Sequence, residues 1–247
     1  IQFMNGTGSQ TMAFMFESDT VQLRHNNVTK LATTSSGIDV TGTAKIEKSG
    51  QALNLDTPSA NQNVWINFSD NGSTKWEISK NTTNLLSIYN YDLGSTVMSF
   101  DTAGHVTMPN QPAFLATITA QQNNIATGQF TTINFDNEIY DQNADFNTST
   151  KTFTAPVTGR YMLSANVYLL NVDIDASYIQ LELLTSNRVY YHVLSPKFSQ
   201  DMPYYTANIS ICADMDASDT AYVRVTQTGG TAQMDISASH FSGYLVA

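Results

Sequence analysis

The sequence predicts an all-β protein, and three observations predict it. Charged residues make up 13% of the 247, about half the usual quarter, with Thr, Ser and Asn in their place. Tyr and Phe number 12 each, side chains that pack well on a pleated surface. Apolar and polar residues alternate over short runs such as Val21-Gln22-Leu23 and Trp76-Glu77-Ile78. Asn-Gly, Ser-Gly and Ala-Gly pairs cut these runs, as turns between strands do.

Charge and composition exclude several functions. The net charge is −10 and the 11 Lys and Arg are scattered, so no basic patch offers itself to a nucleic-acid backbone. No run of 18 apolar residues is present, so no helical membrane insertion is expected. Cys212 stands alone and forms no intrachain disulfide. Its setting in Ala207-Asn208-Ile209-Ser210-Ile211-Cys212-Ala213 reads as that of a small buried apolar residue. Gly-x-Ser-x-Gly, phosphate-loop and His-Glu-x-x-His patterns are missing. His25, His105, His192 and His240 lack the i, i+2 spacing that a strand needs to ligate zinc. The chain therefore reads as a non-enzyme. It starts at Ile1 inside a strand pattern, as expected of a piece of a longer protein.

Residues 1–108 hold an internal duplication. Ile1-Gln2-Phe3-Met4-Asn5-Gly6 matches Ile66-Asn67-Phe68-Ser69-Asp70-Asn71-Gly72, and Met12-Ala13-Phe14-Met15 matches Lys75-Trp76-Glu77-Ile78. Val21-Gln22-Leu23 matches Leu86-Ser87-Ile88, and Leu31 to Val40 matches Met98 to Val106. The offset stays at about 65 residues. One copy is expected over 1–65 and the second over 66–108. Each strand carries few apolar residues, too few to offset a backbone ordering cost of about 1–2 kcal/mol per residue. Such units stack on neighbours, and a trimeric β-shaft supplies them. A monomeric solenoid would show a shorter period of about 20 residues. Pro109 and Pro112 break the ladder and mark 109–112 as a stiff linker.

Residues 113–247 read as a jelly-roll β-sandwich head. Strands are expected near 114–119, 130–135, 151–155, 159–170, 178–184, 189–194, 205–215, 220–226 and 241–246, close enough for that fold. Pro156-Val157-Thr158-Gly159 reads as a tight turn with Gly159 at positive φ.

Candidate ligand residues are aromatic or acidic. Tyr190 and His192 share one side of a strand, Tyr191 takes the other, and Tyr204-Tyr205 follow a Pro-containing loop. Tyr190, His192, Tyr204 and Tyr205 are the candidate receptor contacts, since exposed rings stack on sugars or fill protein pockets. Packing along subunit contacts is the competing reading. Asp173 and Asp175 lie two apart in a connecting loop and are the candidate calcium ligands, neighbouring subunits completing the oxygen set. Capping of turn backbone is the alternative, for them and for Asp214, Asp216 and Asp219. No other cofactor is expected.

The spaced aromatics Phe135, Phe146 and Phe153, the element Gly159-Arg160-Tyr161 and the closing Phe241-Ser242-Gly243-Tyr244-Leu245 carry a resemblance. They resemble the globular head of complement component one q and its tumour necrosis factor relatives. That resemblance implies a homotrimeric, ligand-binding, non-catalytic jelly roll. Met162 replaces an aromatic of the family pattern, and Ala217-Ser218-Asp219-Thr220 replaces its Gly-Asp turn. Leu31-Ala32-Thr33-Thr34-Ser35-Ser36-Gly37-Ile38-Asp39-Val40-Thr41-Gly42-Thr43 and the Met108–Phe114 bridge resemble bacteriophage tail-fibre shafts. Together they imply a virion-borne, extracellular fibre tip that adheres to a bacterial surface glycan or outer-membrane protein. A purely structural spike, or a glycan depolymerase with an active site between subunits, are the alternatives.

Overall fold

The computed structural model describes residues 1–15 and 20–247, with strands and connections but no helix among them. They form two units, Ile1–Ala60 and Asn61–Ala247.

The first unit is a five-stranded antiparallel meander of β1 (Gln2–Met4), β2 (Thr11–Met15), β3 (Val21–His25), β4 (Val28–Thr34) and β5 (Gly37–Val40). Asn26 and Asn27 both take positive φ between β3 and β4, the twist-matched geometry of a two-residue hairpin loop. Strand alternation puts Phe3, Ala13, Leu23, Leu31 and Val40 in one cross-strand row. Phe3, Leu23 and Val40 remain exposed, so the row lies uncovered within its unit.

The second unit begins with a like meander. It comprises β6 (Val64–Asp70), β7 (Ser73–Lys80), β8 (Leu86–Asn90), β9 (Ser95–Phe100) and β10 (Val106–Thr107), again each beside the next. Ile66, Ile78, Ile88 and Met98 form its apolar row, with Leu86, Phe100 and Val106 alongside. Ile66, Ile78, Leu86 and Val106 are exposed. The expected copy boundary at 65/66 falls inside β6, because Val64 and Trp65 already pair with Lys80 and Ser79. Residues 41–63 carry no strand.

The linker is held by both kinds of bond: the Pro112 carbonyl accepts the Leu245 N–H at 3.0 Å, and side chains hold two further carbonyls. Gln142 Nε2 donates to the Gln111 carbonyl at 2.6 Å and Asn143 Nδ2 to the Asn110 carbonyl at 2.9 Å. These bonds satisfy carbonyls that no strand partner reaches.

The head is a jelly-roll sandwich. Its strands are β11 (Ala113–Thr117), β12 (Thr131–Thr132), β13 (Asn137–Asp141), β14 (Phe146–Asn147), β15 (Thr152–Thr154), β16 (Gly159–Val172), β17 (Ala176–Thr185), β18 (Val189–Leu194), β19 (Met202–Met215), β20 (Thr220–Gly229) and β21 (Asp235–Leu245). The front sheet runs β13-β11-β21-β16-β19. The back sheet runs β14-β15-β20-β17-β18, with β12 on β20. Of the strand expected near 130–135 only Thr131–Thr132 pair as a strand; the Ile133 N–H still reaches the Val223 carbonyl at 3.0 Å, and the Ile133 and Phe135 side chains enter the core.

The spaced aromatics of the sequence meet in that core. Phe114 stacks on Phe146 at 5.0 Å and on Phe153 at 4.8 Å, and meets Phe241 edge-on at 5.0 Å. Phe135 and Tyr161 are buried beside them. Each such ring contributes about 1.5–3 kcal/mol through burial. The Tyr161 hydroxyl donates to the Val157 carbonyl at 2.7 Å, which gives its polar tip a partner. Two glycines are required by close approach. A Cβ on Gly243 would lie 2.6 Å from Leu163 Cδ2 and 2.8 Å from Phe114 Cε1. A Cβ on Gly159 would lie 2.7 Å from the Ala247 carbonyl oxygen. Gly159 does not adopt the positive φ expected of it; crowding by the C-terminal strand is what excludes a side chain there.

Candidate functional site

The head offers two open sheet faces. On the front sheet, Leu115, Ser242, Ser164 and Ser210 form one outward row, and the Ser164 and Ser210 hydroxyls lie 2.6 Å apart. In the next row an Asn166 amide N–H donates to Asn208 Oδ1. Tyr204, 63% exposed, stacks on Tyr168 with centroids 5.7 Å apart and planes at 9°. Exposed Tyr140 and Tyr244 complete a face of rings and neutral polar groups.

On the back sheet, register places Tyr191, Glu182, Arg224 and Thr132 side by side across β18, β17, β20 and β12. Arg224 Nε donates to Glu182 Oε2 at 2.7 Å, and its guanidinium lies 4.0 Å from the Phe130 ring centroid. Gln180 also donates to Glu182. Glu182 is 5% exposed while Tyr191 is 65% exposed. An ion pair with its carboxylate buried and its guanidinium partly exposed thus underlies a rim of exposed Phe130, Tyr191, Val189 and Val193. A hydrogen-bonded polar floor with an exposed aromatic and aliphatic rim suits recognition of a ligand surface.

The expected receptor residues do not share one surface. Tyr190 and Tyr205 pack against the core, and His192 Nε2 lies 3.3 Å from the Tyr205 hydroxyl. His192 and Tyr205 meet where β18 approaches β19. Tyr204, next to Tyr205 on the same strand, points to the opposite face because side chains alternate. Among the four, only Tyr204 stands on an open face. Sequence reasoning does not single out Tyr191 or the Glu182–Arg224 pair: Tyr191 reads only as the opposite-facing neighbour, and a contact spanning 42 residues leaves no local mark. Cys212 is exposed, a correction to the buried reading: Ile211 and Ala213 take the inward positions of β19 and send Cys212 outward.

The acidic candidates organise backbone. Asp173, 3% exposed, accepts N–H groups from Asp175 at 2.8 Å, Thr231 at 2.8 Å and Ala232 at 2.9 Å. The Asp175 and Ala232 N–H bonds hold its carboxyl below the usual range, against the opposing effect of burial. A Cβ on Gly230 would overlap that carboxylate. Asp175 stays exposed while Asp173 is buried, so the two carboxylates do not share one environment. Asp219 caps the Asp216 N–H at 2.9 Å and takes the Asn187 amide at 2.8 Å, while Asp214 pairs with Arg188. Among the described residues no three His, Cys, Asp or Glu gather as a metal-binding group.

The C1q domain family matches residues 113–246, more than half of the chain, and the chain belongs to that family. Domains of this kind are generally binding modules without enzymatic activity. The solved globular domain of zebrafish complement 1qA protein is 18% identical, with 56% of this chain and 98% of that chain covered and a TM-score of 0.42. Murine APRIL at pH 8.0 is 10% identical over 56% of this chain and all of its own, TM-score 0.42. Eiger TNF from S. frugiperda is 12% identical over 56% and 92%, TM-score 0.40. No curated protein sequence matches the chain.

Proposed function

We propose that this chain is the distal part of a bacteriophage tail fibre, a homotrimer whose C1q-type head adheres to a bacterial surface glycan or outer-membrane protein. The observation that carries this reading is the uncovered apolar row in each meander, upstream of a C1q head. Sheets with one bare apolar face do not hold up singly in water. The same faces of two further copies supply the cover, which makes residues 1–108 a trimeric shaft. The front-sheet face of the head, with its stacked Tyr168–Tyr204 pair, serves as subunit contact. The back-sheet row around Tyr191 then points outward as the adhesive surface. Three such rows on one particle multiply weak single contacts by avidity. The particle is extracellular and virion-borne, and the reading needs no cofactor.

Adsorption of the full chain to bacterial cells tests it. The parent binds, and Tyr191→Ala with Val193→Ser loses most of the bound protein while remaining folded. Undiminished binding by that variant rejects the back-sheet row as the adhesive surface. Release of reducing sugar from capsule or lipopolysaccharide would replace adhesion with depolymerisation.

A further inference from the structure

The second meander has a largely polar face opposite its apolar row, and that face carries exposed aromatic side chains. Trp65 is 53% exposed and pairs with Ser79 at the open edge of the sheet. In the neighbouring row, Asn67 stands beside Glu77. Tyr91, also exposed, donates its hydroxyl to Glu77 Oε2 at 2.9 Å, and Tyr89 meets Tyr91 edge-on at 4.9 Å. Trp65, Asn67, Glu77, Lys80, Asn81 and Tyr91 line an open recess of about 450 Å3.

The polar groups in this recess are set and partly unspent. Asn81 Oδ1 accepts the N–H groups of Thr83 and Leu85, both at 2.9 Å, so its orientation is fixed and its NH2 is left over. Lys80 Nζ donates to the Gln62 carbonyl at 3.0 Å. Tyr91 occupies one Glu77 oxygen and leaves the other as an acceptor. One carboxylate and one ammonium balance each other locally, and the net charge of −10 repels polyanions. The first meander is an internal control: its strand order is the same, yet Phe14 stands where Glu77 does. The constellation is therefore not dictated by the fold.

We infer that this recess binds an uncharged hexopyranoside unit of a polysaccharide, with the Trp65 indole against the C–H face of the sugar ring. Glu77, Asn67 and the Asn81 NH2 bond the ring hydroxyls, as convergent polar groups do in ligand sites. The site lies outside the C1q domain and does not depend on the adhesive role of the head.

Saturation-transfer NMR and calorimetry on the full chain test it, with maltotriose, cellotriose and tri-N-acetylchitotriose as probes and a hyaluronan tetrasaccharide as the charged control. At least one uncharged trisaccharide binds with a Kd of about 1 mM, weakened at least about tenfold by Trp65→Ala. Trp65→Phe keeps the aromatic surface and stays within about threefold of the parent, which separates a lost contact from a lost fold. Equal binding by Trp65→Ala, binding of hyaluronan alone, or no binding up to about 20 mM overturns the inference. Cell adsorption through Tyr191 and Val193 is measured separately, so either reading fails without the other.

Discussion

Arg224 donates a 2.7 Å hydrogen bond from Nε to Oε2 of Glu182 on the outer face of the back sheet, with only 6% of the Glu182 side chain exposed. Removing one partner of such a pair strands the other charge. Arg224→Ala is expected to lower head stability by roughly 3 kcal/mol, read as the urea midpoint followed through far-UV circular dichroism. Arg224→Met combined with Glu182→Leu recovers most of that loss, since neither charge is then buried alone.

Gly243 sits where the closing strand crosses the core. Gly243→Ala places a methyl group against Leu163 and Phe114, and overpacking of this kind costs about 1–3 kcal/mol. The thermal midpoint falls, and Leu163→Ala in the same chain relieves part of the clash. An unchanged midpoint for Gly243→Ala would show that the core has room there.

Asp173 links stability to acidity. Its carboxyl is depressed first by the Asp175 N–H bond and then by that of Ala232. A depressed acid contributes stability above its unfolded value of about 3.9 and loses it as pH falls through the lower folded value. Asp173→Asn is therefore destabilising by about 1–3 kcal/mol at pH 7. The gap to the parent closes below about pH 4. A gap that persists in acid would assign the loss to packing instead.

Asp145 behaves in the opposite sense. Burial, then the nearby Asp141 charge, raises its carboxyl, and its Oδ2 is buried without a hydrogen-bond partner among the described residues. A raised acid penalises the fold above its folded value, and the penalty fades as pH drops toward the unfolded value. Asp145→Asn is expected to stabilise the protein at pH 7 by roughly 1 kcal/mol, with the gain shrinking in acid. Chemical denaturation at pH 7 and pH 4 checks both halves.

Burial made part of this structure legible from residues alone. Phe135, Phe146, Phe153, Tyr161 and Phe241 are large rings at family spacing, and all five lie inside. The long strand β16 alternates from Tyr161 to Leu169 before Asn171 breaks the pattern, and that alternation is what makes it legible. β13 is not: Asn137-Glu138-Ile139-Tyr140-Asp141 is an edge strand open on both faces, so its pattern carries no alternation. β14 pairs through two residues only. At Gly159 the turn pattern suggests a positive φ, whereas the close approach of Ala247, invisible to local sequence, is what requires glycine. The candidate surfaces were the least legible. Glu182 and Arg224 meet through sheet register, Tyr204 and Tyr205 separate by alternation, and the Trp65 recess needs three strands to assemble it.

Sedimentation equilibrium of the full chain at about micromolar concentration is the most direct measurement of whether apolar meander faces are covered by other copies. A single species of three times the chain mass is predicted, with no folded single subunit on dilution. A folded monomer that keeps its β-sheet circular dichroism at the same concentration would contradict it.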